Sequence, residues 1–489
     1  MSKLKKLAGD TIIYGASTIL GRLLNWLLMP FYIRIMDPAQ YAGVINIYSY
    51  IAVFLCLLTF GFETGYFRFV NKENRALLLK NLGSFITVCS IIFCFGVYVF
   101  QDDIVYYLGN EFLIADYFII ASWLIALESI TSIPFADLRI NNHSVRYALL
   151  KFSSVILNIL FVTFYLVICP YLIKNGYSFV ETIYNENNKV YYVFISNFYS
   201  SVIIALVLIP KIYLVKAKFN WAIIKKVLHY SYPIMIVGLF GMLIQNIDKI
   251  LMPHLISPDF MNPMDALAIY GANFKIGLLM AIFIQSYRLA FEPFFFKEGK
   301  EHASKDLYAR VLKYFVIFAC VIVVGVLVFM DVVNLLLLPE YYEGNKIIPY
   351  ILLGQLFFGI YYSLSLWYKL TDNTRFGAFI SGFGVLVVIA GNILLVPQLG
   401  YIGAAVTSFL CFFIMTVISY FLGQKHYPIN YPVGRILLHI SCSLLIVYLS
   451  TFLHSENLLF HFGFKGIIFV SYFAFLYIIE RKELIKILS

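Results

Sequence analysis

Apolar residues along this 489-residue chain do not recur at the spacing of a soluble amphipathic helix or strand; they run in blocks of about twenty, separated by short polar clusters. A helix rises 1.5 Å per residue, so about 20 residues cross a hydrocarbon core of about 30 Å, and each block reads as a membrane span. Fourteen blocks qualify, at 11–36, 41–62, 82–100, 112–135, 146–170, 191–214, 231–255, 266–295, 311–338, 347–368, 376–397, 400–423, 435–453 and 459–479. The connections are too short to fold into a separate soluble domain. The predicted fold is an all-α polytopic membrane protein.

Lysine and arginine positions check the count independently, because cytoplasmic loops carry the positive excess. With the N-terminus inside, the clusters Lys3/Lys5/Lys6, Arg139/Arg146/Lys151 and Lys211/Lys216/Lys218/Lys225/Lys226 all fall on the cytoplasmic side. The opposite side holds only Arg34, Lys174, Lys189, Lys346 and Lys465. Both termini are therefore expected in the cytoplasm. Composition agrees: the chain is 62% hydrophobic and 13% charged, with a mean hydropathy of +0.86. A soluble domain is about half apolar and a quarter charged. The net charge of +10 belongs to a basic face against anionic lipid headgroups. No nucleic-acid-binding module is present, which argues against a nucleic-acid partner. The seven cysteines all fall within spans and show neither a disulfide framework nor zinc spacing. The first apolar run contains an arginine and lacks a small-residue cleavage site, so it reads as a span and not as a removed signal peptide.

A weak parallel repeat runs through the chain. Leu27–Ile33 (LLMPFYI) ends the first span and Ile250–Ile256 (ILMPHLI) ends the seventh; Asn158-Ile159-Leu160 and Asn392-Ile393-Leu394 match in the fifth and eleventh. Six spans separate the members of each pair, which restores orientation and predicts two lobes about an axis along the membrane normal. The expected organisation is an N-terminal lobe at 1–215, a C-terminal lobe at 216–428, and two accessory helices with a cytoplasmic tail at 429–489.

A charge near mid-membrane costs roughly 2.5–3.5 kcal/mol on insertion scales, so the charges retained inside spans are the candidates for chemistry. In the first span Tyr14, Thr18, Arg22 and Asn25 share one face, and Pro30 is expected to bend its outer part. Arg22 has two readings: a cation facing an anionic headgroup, or a partner of Glu63 or Glu128. The eighth span carries Lys275, Gln285, Arg288 and Glu292. Arg288 and Glu292 have the spacing of an intrahelical pair. A guanidinium fork and an ammonium also suit phosphate oxygens. Arg22, Asn25, Lys275 and Arg288 are the candidate cavity residues. Glu63, Glu128, Asp248, Lys249 and Glu292 are candidates for ion coupling or for structural ion pairs. No phosphate-binding glycine loop, zinc-binding helix or nucleophile elbow occurs, so neither a catalytic nor a metal site is predicted. The eight histidines are scattered, mostly in loops or near span ends, where solvation is expected.

Four segments carry a family resemblance: the opening GDTIIYGASTILGRLLNWLLMPFYIRIMDPAQYAGV, the stretch FGFETGYFRF, the eighth span IYGANFKIGLLMAIFIQSYRLAFEPFFFK, and YKLTDNTRFGAFISGFGVLVVIAGNILLVPQLGYIGAA. The chain resembles the polysaccharide-transport branch of the multidrug/oligosaccharidyl-lipid/polysaccharide exporter superfamily over essentially its whole length. The resemblance implies two six-helix bundles that alternate between inward-open and outward-open states. It implies a flippase of the bacterial inner membrane that moves polyprenyl-diphosphate-linked oligosaccharides to the periplasmic leaflet for O-antigen, capsule or exopolysaccharide synthesis. Arg22 sits in the corresponding first-span motif and Arg288 in the branch's eighth-span pattern. No cofactor is implied, and coupling to H+, Na+ or the membrane potential is left open. The implied partners are the lipid-linked oligosaccharide, membrane lipids, and a polysaccharide polymerase with its chain-length machinery. The alternatives are a drug or cation exporter of the same superfamily, a peptidoglycan-precursor flippase, and a membrane glycan polymerase or ligase. Against the last, the longest external connection, near 171–190, holds Glu181 and Glu186 without an active-site constellation.

Overall fold

A bilayer core offers no water to unpaired N–H and C=O groups, so a chain of apolar blocks closes its hydrogen bonds within each block, as helices. The computed structural model describes the backbone of residues 3–108, 113–141, 143–298, 305–370, 373, 375–452 and 457–488. Within 3–14, 16–18, 290–298, 369–370, 458–459 and 482–488 only the backbone path is described. The long helices follow in order: α1 (Lys3–Ile35), α2 (Pro38–Leu58), α3 (Arg75–Val99), α4 (Ala115–Ile140), α5 (Ser144–Thr163), α6 (Lys189–Leu208), α7 (Trp221–Leu255), α8 (Pro263–Glu298), α9 (Lys305–Val328), α10 (Ile348–Leu364), α11 (Arg375–Leu399), α12 (Tyr401–His426), α13 (Val433–Ser450) and α14 (Leu458–Leu488). Among the described residues no strand occurs, and 13 helical stretches after α1 are long and apolar enough to cross a membrane. Each predicted span has its helix, and the protein is a multi-pass membrane protein. Three of the helices begin on asparagine. The Asn74, Asn220 and Asn262 side chains accept from the backbone N–H of Ala76 (2.9 Å), Ala222 (3.0 Å) and Met264 (2.9 Å), pairing donors that the first helical turn leaves free.

The chain forms two compact units, Met1–Gly271 with Ser381–Ala404, and Ala272–Ile380 with Ala405–Ser489. In the first, α1 packs on α5, α3 and α6 on α4, and α7 along α2. In the second, α9 packs on α10 and α13, and α14 touches both α9 and α13. Lipid tails are as apolar as leucine, so helices in a membrane associate through close packing and polar links. Such links hold α14. At one end the Lys313 ammonium (α9) donates to Glu480 Oε2 at 2.5 Å, and His439 Nε2 (α13) lies 3.1 Å from Glu480 Oε1. At the other end Asp331 accepts from Lys465 and is 2.9 Å from His461 Nε2. His439 and His461 thus depart from the expected solvation. Their rings are buried because each bonds a carboxylate on a neighbouring helix.

Candidate functional site

The sequence between α2 and α3 builds one wall of an internal cavity. Helix α2 stops after Leu58, and Phe60 (φ 52°) and Gly61 (φ 65°) turn the chain through the left-handed region into a short helix, Phe62–Phe69. Gly61 is required there twice over: its φ favours glycine, and a Cβ would lie 2.9 Å from the Ser231 carbonyl oxygen of α7. Gly65, one turn on, is pressed against the same helix, where a Cβ would lie 2.6 Å from Val227 Cγ1. With both glycines against α7, Glu63 lines the cavity on the side of α4. Asp137 of α4 fixes this arrangement by accepting from the Tyr66 hydroxyl (2.6 Å) and from Arg75 Nε and Nη2 (2.6 and 2.7 Å).

The cavity, of about 240 Å³, lies within the first unit. Its lining follows helical spacing: Glu128, Thr131, Ser132, Phe135 and Arg139 from one face of α4, Tyr147, Lys151 and Ser154 from α5, Leu55 and Thr59 from α2, and Ser201 and Ile204 from α6. Its charges divide unequally. Glu63 forms an ion pair with Arg139, whose guanidinium carbon also lies 5.1 Å from the Phe67 ring centre. The Lys151 ammonium sits 4.2 Å over the Phe135 ring. The Glu128 carboxylate makes no hydrogen bond or ion pair among the described residues, and Lys151 is the cation that acts on it across the cavity. Three lining hydroxyls spend their protons on their own helices: Thr131 on the Glu128 carbonyl (3.2 Å), Ser132 on that of Ser129 (2.7 Å), and Thr59 on that of Cys56 (3.0 Å). Their oxygens therefore face the cavity as acceptors. Two carboxylates face two cations in this chamber, and the Glu128 carboxylate, unbonded among the described residues, is its candidate for proton exchange. Among the described residues no cluster of three or more His, Cys, Asp or Glu forms a metal site.

The other predicted residues fall as follows. Asp248 and Lys249 are buried as a pair: the ammonium donates to Asp248 Oδ1 (2.9 Å), Asp248 Oδ2 (3.1 Å) and the Gln245 carbonyl (2.8 Å). The Tyr270 hydroxyl donates to Asp248, and Asn46 Nδ2 to the Lys249 carbonyl (2.9 Å), so three helices meet at this pair. Arg22 and Asn25 lie exposed on α1 in the first unit; the side chains of Tyr14 and Thr18 lie outside the described residues. In the second unit Lys275 is half-buried on α8, and the Arg288 guanidinium carbon stands 4.1 Å from the Tyr362 ring centre, beside a Tyr287–Ser363 hydroxyl contact of 3.0 Å. The Glu292 side chain lies outside the described residues, so its pairing with Arg288 is not described. Arg139 and Lys151, which the positive-charge pattern places among the basic cytoplasmic flanks, also line this cavity. The signal that finds them is Glu63: a carboxylate at the apolar end of a span needs a cation, and Arg139 is the basic residue closing a neighbouring helix.

The family model described as "Polysaccharide biosynthesis protein" matches residues 7–298. Comparison with curated proteins finds no match. Among solved structures, the chain is similar to the lipid II flippase MurJ in an inward closed conformation, with a TM-score of 0.73 at 15% identity over 97% of this chain and 100% of that one. It is also similar to an inward-facing multidrug resistance MATE family transporter of the MOP superfamily (TM-score 0.64, 12% identity, 88% and 99% covered). The MATE multidrug transporter DinF-BH is a third (TM-score 0.62, 13% identity, 87% and 96% covered). At these identities the likeness is one of fold.

Proposed function

The chain belongs to the polysaccharide biosynthesis protein family of the multidrug/oligosaccharidyl-lipid/polysaccharide exporter superfamily, and from that premise we propose that it flips polyprenyl-diphosphate-linked oligosaccharides from the cytoplasmic to the periplasmic leaflet of a bacterial inner membrane. The supporting observation is the conjunction of this family with a fold that the chain shares, over nearly its whole length, with a lipid II flippase. The physical demand is clear: a diphosphate and several sugars entering hydrocarbon unaided leave polar groups unpaired at several kcal/mol each. A hydrated cationic path removes most of that barrier. In this reading Arg22, Asn25, Lys275 and Arg288 face the diphosphate and sugars, and the protein acts as a transporter, with no covalent step. The moving parts are the lobes 1–215 and 216–428, with 429–489 accessory and both termini cytoplasmic. The product passes to a polysaccharide polymerase and its chain-length machinery.

Directionality requires that something bind the two conformations unequally. The Glu128 cavity supplies a candidate: exchange of H+ or Na+ at its unpaired carboxylate. The same carboxylate favours a second reading, a cation or drug exporter. Proteoliposomes separate the two. Movement of a fluorescent diphosphate-linked oligosaccharide between leaflets, lost in Arg22→Ala and Arg288→Ala, supports the flippase. Normal movement in both folded variants overturns the cationic path. Gradient-driven accumulation of an organic cation, with no glycolipid movement, selects the exporter.

A further inference from the structure

We infer that the segment joining α6 to α7 is an organised binding site for the headgroups of anionic phospholipids in the cytoplasmic leaflet. The segment after Leu208 runs through a short helix, Pro210–Tyr213, to the Asn220 cap of α7. It is held at four points against the start of α3. The Lys80 ammonium donates to the Tyr213 carbonyl (3.3 Å) and lies 4.9 Å over the Tyr213 ring. Ile212 is fully buried against Gly83, where a Cβ would come within 2.8 Å of it. The buried Asn81 amide donates to the Lys218 carbonyl (3.2 Å) and accepts from the Asn220 N–H (2.5 Å). The Phe85 and Trp221 rings pack at 5.9 Å.

This pinned segment presents two kinds of side chain outward. Leu214, Phe219 and Trp221 are 80%, 61% and 57% exposed, and Lys216, Lys218 and Lys225 are exposed among them. No Asp or Glu occurs between Glu186 and Asp248, and the carboxylate that reaches the segment's end, Glu73, is taken by Lys226 at 2.6 Å. Lysines interleaved with exposed aromatic and aliphatic side chains match the boundary between phosphate headgroups and acyl chains. The charge is complementary to an anionic lipid surface. Because Asn81 fixes the backbone, the lysines meet the lipid without the ordering cost of a free polybasic tail. The occupant is a phospholipid of the bilayer and not the transported substrate.

The test is retention of phosphatidylglycerol against phosphatidylcholine by the purified full chain in mixed micelles, read by native mass spectrometry. Each lysine near an anionic surface is worth roughly fivefold, so Lys216→Gln/Lys218→Gln/Lys225→Gln should lose on the order of a hundredfold of the phosphatidylglycerol preference. Asn81→Ala, with all lysines present, should lose most of it too. The control Lys305→Gln/Lys425→Gln/Arg481→Gln should keep it. Full preference in the exposed-lysine triple variant, or an equal loss in the control, overturns the site. Full preference in a folded Asn81→Ala overturns its organisation, and the lysine variants decide the matter if Asn81→Ala does not fold. Displacement of phosphatidylglycerol by an equimolar prenyl diphosphate would reassign the site to the substrate and overturn the lipid assignment.

Discussion

Asn46 of α2 donates its amide to the backbone carbonyl of Lys249 of α7, 203 residues further along the chain, at the point where the Lys249 ammonium closes on Asp248. The pair is nearly inaccessible, so its charges rely on each other and on Tyr270 and Gln245. Removing one partner strands the other. Asp248→Ala should destabilise the protein by about 3–5 kcal/mol, and Asp248→Ala/Lys249→Met by clearly less than the sum of the single changes. Thermal unfolding of the purified protein in detergent reads both.

Close approach of the Phe62–Phe69 helix to α7 rests on Gly61 and Gly65. Gly65→Val should cost about 1–3 kcal/mol or more, because the added atoms overlap Ser231 and Val227. Gly241→Ala, on the same α7, meets nothing within 4 Å and should be neutral or gain roughly 0.5–1 kcal/mol from lower backbone entropy in the unfolded chain. The same melting assay compares them, and equal losses at both positions would show that the seam does not set the glycine requirement.

Glu63 and Glu128 share a cavity but not a role. Glu63 is engaged by Arg139 with both side chains about half exposed, so Glu63→Gln should alter stability by less than about 1 kcal/mol. Glu128→Gln leaves the fold intact and should abolish the response of glycolipid flipping to an imposed H+ or Na+ gradient. Flipping rates in proteoliposomes with and without the gradient test this. An unchanged gradient response in Glu128→Gln removes the cavity from the coupling scheme.

Asp331 falls inside the predicted block 311–338 but beyond the helical span Lys305–Val328 that the structure gives, and it should make the protein acid-sensitive. Partial burial pushes its carboxyl up, but the hydrogen bonds from Lys465 and His461 outweigh this and hold it below the ordinary carboxylate range. A carboxyl depressed in the folded state contributes stability above its unfolded value, about 3.9, and loses it as pH falls through the folded value. Unfolding temperature should therefore drop more steeply below about pH 4 in the wild type than in Asp331→Asn.

Among the described residues the sequence was enough to locate the 13 helical stretches long and apolar enough to cross a membrane, because inside a bilayer each apolar block must satisfy its own backbone and needs no distant partner to do so. Neighbouring charges were legible for the same reason: Asp248 and Lys249 are adjacent in the chain and bond to each other in the fold. Pairings across helices were not legible. Glu63 meets Arg139, 76 residues away, and Lys313 meets Glu480, 167 residues away, because helix packing brings those faces together. A carboxylate in an apolar run signals that a partner or a cavity is needed, but not which. Only the tertiary structure decides that Gly61 and Gly65 turn Glu63 toward Arg139, and that Glu128 in the same chamber is left, among the described residues, without a cation bonded to it.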